Sequence, residues 1–277
     1  MVKVGITEVD IAFEDKATAK ERCQHVIEQA AANDVELLVF PEMTLTGFTM
    51  MPAKVAEAYS DGHIPESVSF FMKNSRKYGM AIAFGYIEAS MADKSPEHKD
   101  DGRKIYENKL AVVDDGDLIM DYTKIHPFSF GGEDRVYHAG SMLCQTKVKD
   151  LRLGGYICYD LRFPEIFTAA RDRYDAVLVI ANWPESRVAQ WDALLKARAI
   201  ENQAYVIGVN RKGTVKSESY VPSSHIYDCL GNDIAERVSE ELLVAELDPA
   251  VIEKSRKVFP QGRDRKCDLY STFLQNR

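Results

Sequence analysis

Apolar residues along this chain follow two spacings. Short, mainly apolar runs at 36–40, 151–157, 176–181 and 205–210 alternate with segments at 16–32, 65–78, 164–174 and 187–202, where apolar positions recur every three or four residues. The first spacing is that of strands buried on both faces, the second that of helices packed over them. Further strands are expected at 2–11, 80–88, 105–113, 118–125, 143–148, 224–228, 234–238 and 242–247, and further helices at 53–59 and 249–257. Strand, helix and strand repeating in this order predict an α/β fold, a parallel or mixed sheet covered by helices.

The connections carry their own signals. Asp114-Asp115-Gly116-Asp117 is a strong hairpin turn, and Gly231-Asn232-Asp233 is expected to close a second hairpin between 224–228 and 234–238. Residues 90–103, the most polar segment, are expected to be an exposed hairpin loop, and 211–222 a glycine- and serine-rich loop. The tail at 259–277 is polar and aromatic without a clear period. No repeat and no hinge-like linker divides the chain, so residues 1–277 are expected to form one domain.

Three of the buried runs end on residues capable of chemistry. The run 151–157 stops at Cys158 and the chain restarts as a helix at Pro164-Glu165. A strand-to-helix corner pushes one side chain out of the sheet edge and leaves the next backbone N–H groups free, as a nucleophile with an oxyanion site requires. A buried structural thiol satisfies the same local pattern. The run 36–40 leads into Pro41-Glu42, a carboxylate at the edge where α/β sheets collect ligand-binding groups, although a solvated loop carboxylate fits as well. The run 176–181 ends at Asn182-Trp183-Pro184. Lys109 and Lys124 both lie in strand-forming runs, where a buried ammonium needs a partner, and local pattern does not separate them.

Composition narrows the class. The chain has 277 residues, 45% of them hydrophobic and 28% charged, which is the balance of an ordinary globular protein. A formal charge of −8 with no basic cluster speaks against nucleic acid as a partner. No apolar run approaches the ~20 residues that span a bilayer. The five cysteines, Cys23, Cys144, Cys158, Cys229 and Cys267, are far apart and never in a C-x-x-C arrangement, against both a disulfide framework and a structural zinc site. The N-terminal residues run straight into a strand pattern without a leader, so the cytoplasm is the expected location.

Taken together, Phe40-Pro41-Glu42, Tyr122-Thr123-Lys124-Ile125-His126, the stretch from Gly155 to Glu165, Ala181-Asn182-Trp183-Pro184 and the stretch from Ala197 to Gln203 resemble, in their order, the nitrilase superfamily of carbon–nitrogen hydrolases. The resemblance extends over nearly the whole chain. It implies a four-layer α-β-β-α sandwich and a Glu-Lys-Cys triad, with Glu42 as general base, Lys124 as the positive charge at the oxyanion and Cys158 as nucleophile. It selects Lys124 over Lys109, and it makes Glu133 in the glycine loop the counterpart of the family's second glutamate.

The chemistry so implied is amide hydrolysis through a thioester on Cys158, with the backbone N–H of Tyr159 helping to hold the oxyanion and no metal or organic cofactor required. Cys158 to Glu165 resembles the omega-amidase branch, which removes the terminal amide of 2-oxo dicarboxylic acid monoamides. True nitrilases usually carry Trp-Glu after the nucleophile, where this chain has Tyr159-Asp160. Arg162 is then a candidate for the substrate carboxylate, and Phe48, Phe130 and Trp183 are candidates for apolar walls. The same triad serves N-carbamoyl hydrolases and aliphatic nitrilases. A papain-like scheme would pair Cys158 with His126 or His138, and a binding protein on a retained fold would keep the residues without turnover. The resemblance also implies a homodimer, with the helix after the cysteine and the tail at 259–277 at its interface.

Overall fold

The computed structural model describes residues 1–60, 62–91 and 104–275. Nearly all of the loop expected at 90–103 lies outside the described residues.

In chain order the regular elements are β1 (Val2–Thr7), α1 (Lys16–Ala32), β2 (Leu37–Val39), α2 (Glu66–Tyr78), β3 (Ala81–Met91), β4 (Lys104–Asp114) and β5 (Asp117–Thr123). The second half contributes β6 (Gln145–Val148), β7 (Leu151–Ile157), α3 (Pro164–Ala170), β8 (Ala176–Ala181), α4 (Val188–Asn202) and β9 (Tyr205–Asn210). After these come β10 (Gly213–Val215), β11 (Glu218–Tyr220), β12 (His225–Tyr227), β13 (Glu236–Arg237), β14 (Leu242–Leu247), α5 (Pro249–Val258) and α6 (Cys267–Gln275). The order β13-β14-β1-β2-β3-β4-β5 makes one sheet and β12-β9-β8-β7-β6 the other. The chain folds as a four-layer α-β-β-α sandwich, with α1 and α2 on the first sheet and α3 and α4 on the second.

Strand alternation sorts the layers. Val4, Ile6, Leu37, Val39, Leu110 and Val112 join the core between the sheets, while Leu38, Phe40, Ile82, Phe84, Ala111 and Val113 pack with Val26, Ile27 and Phe71 of the covering helices. Within the second sheet β7, β8 and β9 run parallel, and in the first β1, β2 and β3 do so. These parallel strands therefore deliver their C-terminal ends, and whatever follows them, to common edges.

Local signals set several boundaries. The Asp15 carboxylate accepts from the Thr18 N–H at the start of α1, and Gly79 ends α2 in the left-handed conformation at φ 61°. Asp115 and Gly116 both have positive φ, 47° and 78°, the turn that the β4–β5 hairpin requires.

Three expectations are corrected. The helix expected at 53–59 is only a 3-10 turn at Pro52–Lys54, because Glu57 is drawn out beside β3 by backbone bonds to Ile87 and Ala89. The Gly231 turn forms and its arms pair beside it, with the Ile234 N–H on the Ile226 carbonyl and Tyr227 bridged to Asp233, but they part further out, β12 pairing with β9 and β13 with β14. The loop expected at 211–222 contains the β10–β11 hairpin. In addition, the tail at 259–277 contains α6.

Candidate active site

Lys124 and Cys158 follow directly on strand ends, and Glu42 lies three residues past the end of β2. Beyond β2 the chain turns sharply, with Met43 at φ 48°, and lies against β3 at Gly85, where an added Cβ would stand 2.3 Å from the Met43 nitrogen and 2.8 Å from the Glu42 backbone. Only glycine permits that approach. The Thr44 hydroxyl donates to the Pro41 carbonyl at 2.6 Å and accepts from the Gly85 N–H at 3.0 Å, which fixes the turn carrying Glu42. Lys124 follows β5, and its backbone is paired on both sides, to Asn108 and to Gly140. Cys158 follows β7 at φ 47°, a conformation that costs a non-glycine residue on the order of 1–3 kcal/mol and is held by the structure around it.

The three charged side chains form one buried network. The Lys124 ammonium lies 3.0 Å from Glu42 Oε1 and 2.8 Å from Glu133 Oε2, and all three residues are at most 1% exposed. Asn108 Nδ2 donates to both carboxylates, at 2.7 Å to Glu42 and 3.0 Å to Glu133. The other Glu42 oxygen accepts from the Asn182 backbone N–H at 2.9 Å, and the Phe128 N–H donates to Glu133 Oε2 at 2.6 Å. Lys109, on the opposite face of β4, is bound to Asp121 at 2.9 Å.

Burial and charge shift two groups of the site. Burial pushes the Lys124 ammonium down, but Glu133 and Glu42 outweigh it and hold the group well above the ordinary lysine range. Burial pushes the Cys158 thiol well up, Glu42 adds to this, and the Lys124 charge only partly opposes it. Both shifts favour the charged ammonium and the neutral thiol in the resting site.

Asp160, two residues past the cysteine, is fully buried and binds both loops of the site together. It accepts from Tyr122 Oη at 2.8 Å, from the His126 N–H at 2.9 Å and from the Ile157 N–H at 3.0 Å, with His126 Nδ1 at 2.8 Å. His126 thus faces Asp160, and its ring stacks on Phe163 at 3.8 Å.

A cavity of about 130 Å³ opens over Cys158 and Lys124, lined further by Phe48, Phe128, Tyr159, Arg162, Asn182, Trp183, Arg187 and Tyr220. It is far below the roughly 300–1,000 Å³ of drug-sized pockets, so it suits a compact ligand. Phe48, Arg162 and Trp183 line the cavity. Phe130 does not: its ring is 87% exposed, and Phe128, two residues earlier, takes the place in the wall. The loop turns between the two, with Gly131 and Gly132 hydrogen-bonded back to Phe128 and Ser129.

Asn108, Phe128, Asp160, Arg187 and Tyr220 were not singled out from sequence. Asn108 had a legible signal, an uncharged polar residue on the inward face of a buried strand; the others depend on how loops return.

Residues 3–257 match the carbon-nitrogen hydrolase family, and the chain belongs to it. It is 33% identical over 233 residues to an omega-amidase, YafV, of Yersinia enterocolitica, covering 83% of this chain and 84% of that one. It is 30% identical over 270 residues to a 2-oxoglutaramate amidase of Bacillus subtilis, covering 96% and 98%. Among solved structures, Nit3 of Saccharomyces cerevisiae, a member of branch 10 of the nitrilase superfamily, superposes with a TM-score of 0.80 at 26% identity over 94% of each chain. The resemblance read from the sequence is borne out at the level of family and fold.

Proposed function

We propose that this protein is an omega-amidase, releasing ammonia from the terminal amide of a 2-oxo dicarboxylic acid monoamide through a thioester on Cys158. The observation that carries the reading is the buried Glu42–Lys124–Glu133 network beside Cys158 at a small cavity whose wall carries Arg162 and Arg187. Its relatives named for omega-amidase and 2-oxoglutaramate amidase support the substrate class.

In this scheme the Cys158 sulfur attacks the amide carbon while Glu42 takes the thiol proton. Lys124 and the Tyr159 N–H hold the oxyanion; the latter lies in the first turn of a 3-10 segment, where backbone donors lack intrahelical partners. The carbon–nitrogen bond then breaks, the nitrogen takes the proton from Glu42, and ammonia leaves. Water enters, Glu42 takes one of its protons, and the oxygen attacks the thioester. The carbon–sulfur bond breaks and the thiolate recovers the proton. Glu133 fixes the ammonium throughout, so that one lysine serves both halves.

The protein is also proposed to be a cytoplasmic homodimer formed by residues 1–277 as one domain. Leu269, Tyr270, Phe273 and Leu274 of α6 lie along one helical face and are 43–61% exposed, which supports an interface made with the tail.

The reading is tested by ammonia release from 2-oxoglutaramate, 2-oxosuccinamate, glutamine, an N-carbamoyl amine and an aliphatic nitrile. Release from the first two and not the last two is expected. Turnover of the carbamoyl compound or the nitrile in their place contradicts it.

A further inference from the structure

Two arginines share the cavity with Cys158. The Arg162 guanidinium lies 4.9 Å from the centre of the Trp183 ring, and that of Arg187 lies 5.6 Å from the centre of Phe128. Trp183 ties them to one another, since its indole N–H donates to the Arg187 carbonyl at 2.9 Å. Phe128 in turn packs edge-on against Tyr159 at 5.0 Å, beside the nucleophile. Stacking on a ring holds a guanidinium in place without neutralising it.

Neither charge is paired with a carboxylate among the described residues. Among the described residues Arg162 makes one side-chain hydrogen bond, to Gln190 Oε1 at 2.6 Å, and the Arg187 guanidinium makes none; neither forms an ion pair. A guanidinium carries five N–H donors, so most of the two sets have no protein acceptor among the described residues. Glu218, exposed on β11, is the carboxylate that lines the same cavity, while Lys124 is already held by Glu42 and Glu133. Two arginines against one glutamate leave a single positive charge in the lining, which suits a ligand with one carboxylate.

We propose that Arg187 is a second carboxylate-binding residue of this site, and that with Arg162 it clamps the one carboxylate of the amide substrate at the end remote from Cys158. The proposal rests on the amidase reading above. Planar guanidinia bind a carboxylate through paired N–H donors, a geometry lysine does not reproduce. Hydrolysis turns the monoanionic substrate into a dianion, so the same charge balance favours release of the product.

The test compares wild type with Arg187→Leu and Arg187→Lys in two measurements: kinetics on 2-oxoglutaramate, and alkylation of Cys158 by uncharged iodoacetamide, which reports whether the site is intact. For Arg187→Leu, KM rises about tenfold to a hundredfold while kcat and the alkylation rate stay within about threefold, and Arg187→Lys falls between. An unchanged KM overturns the proposal, as does a KM effect matched by an equal loss of alkylation. If wild type does not hydrolyse 2-oxoglutaramate, the substrate assignment fails by itself. Butyrate protecting Cys158 from alkylation in wild type but not in Arg187→Leu then upholds the clamp, and equal protection in both overturns it.

Discussion

The Asp160 carboxylate accepts a hydrogen bond from the backbone N–H of His126 at 2.9 Å. One residue stands two places after the nucleophile and the other two places after the lysine, so this bond joins the loops that carry the two halves of the reaction. The same carboxylate holds Tyr122 and the last residue of β7, and it has no exposed surface. Asp160→Asn would set an amide N–H₂ among donors. It is expected to cost about 2–3 kcal/mol of stability, read from the denaturant midpoint. Because the site's geometry loosens, kcat should fall roughly a hundredfold with KM changed far less. An Asp160→Asn enzyme with wild-type kcat would remove Asp160 from any positioning role.

The protonation state of Cys158 has a direct readout. Cys158 is only half-buried, but desolvation of its sulfur and the facing Glu42 push the thiol above the ordinary range, which lowers the thiolate fraction at neutral pH. The rate of iodoacetamide alkylation in the resting enzyme should therefore still be climbing above pH ~8.5, where an ordinary cysteine begins to level off. A plateau near neutrality would mean that Lys124 dominates the sulfur and that Glu42 is not needed as base.

His225 gives a pH-dependent contribution to stability away from the active site. Its ring lies between Asp233 at 2.6 Å and Asp192 at 3.2 Å. Burial pushes its pKa down, but the hydrogen bond and charge of Asp233, helped by Asp192, raise it above the ordinary histidine value. A raised folded-state pKa means stability that is fully present below the unfolded value of ~6.5 and is lost as pH rises through the folded one. Wild type should exceed His225→Gln in Tm at about pH 6, with the gap closing toward about pH 9. A gap that widens with pH would reverse the assignment.

The exposed face of α6 makes a prediction about assembly. If Leu269, Tyr270, Phe273 and Leu274 are covered by a second copy, light scattering after size exclusion gives the mass of a dimer for wild type and of a monomer for Leu269→Ser/Phe273→Ser. A monomeric wild type would leave that face for another purpose.

The parts legible in sequence share a physical reason. Glu42, Lys124 and Cys158 each follow a strand whose apolar pattern marks it as buried, so strand pattern and site position are one signal. Phe128 and Phe130 show where that reasoning stops: the loop carrying them has no period, and the Gly131 and Gly132 turn decides which ring faces the cavity. Arg187 stands similarly at the junction of a 3-10 turn and α4, where direction depends on the Trp183 contact. The β12–β13 connection pairs only beside its turn, between Ile226–Asp228 and Asn232–Ile234. A turn fixes local reversal, whereas sheet membership is fixed by partners elsewhere, here β9 and β14. Lys109 and Lys124 could be separated by residue pattern only through the family resemblance; in the fold they are separated by strand parity, with Lys109 on the face bearing Asp121.

The most direct test of the account is the mass of the enzyme quenched in acid during turnover of 2-oxoglutaramate. An acyl adduct on Cys158, lost on raising the pH, is expected, with neither adduct nor ammonia from Cys158→Ala. Ammonia release that persists in Cys158→Ala, or an adduct on a different residue, would contradict it.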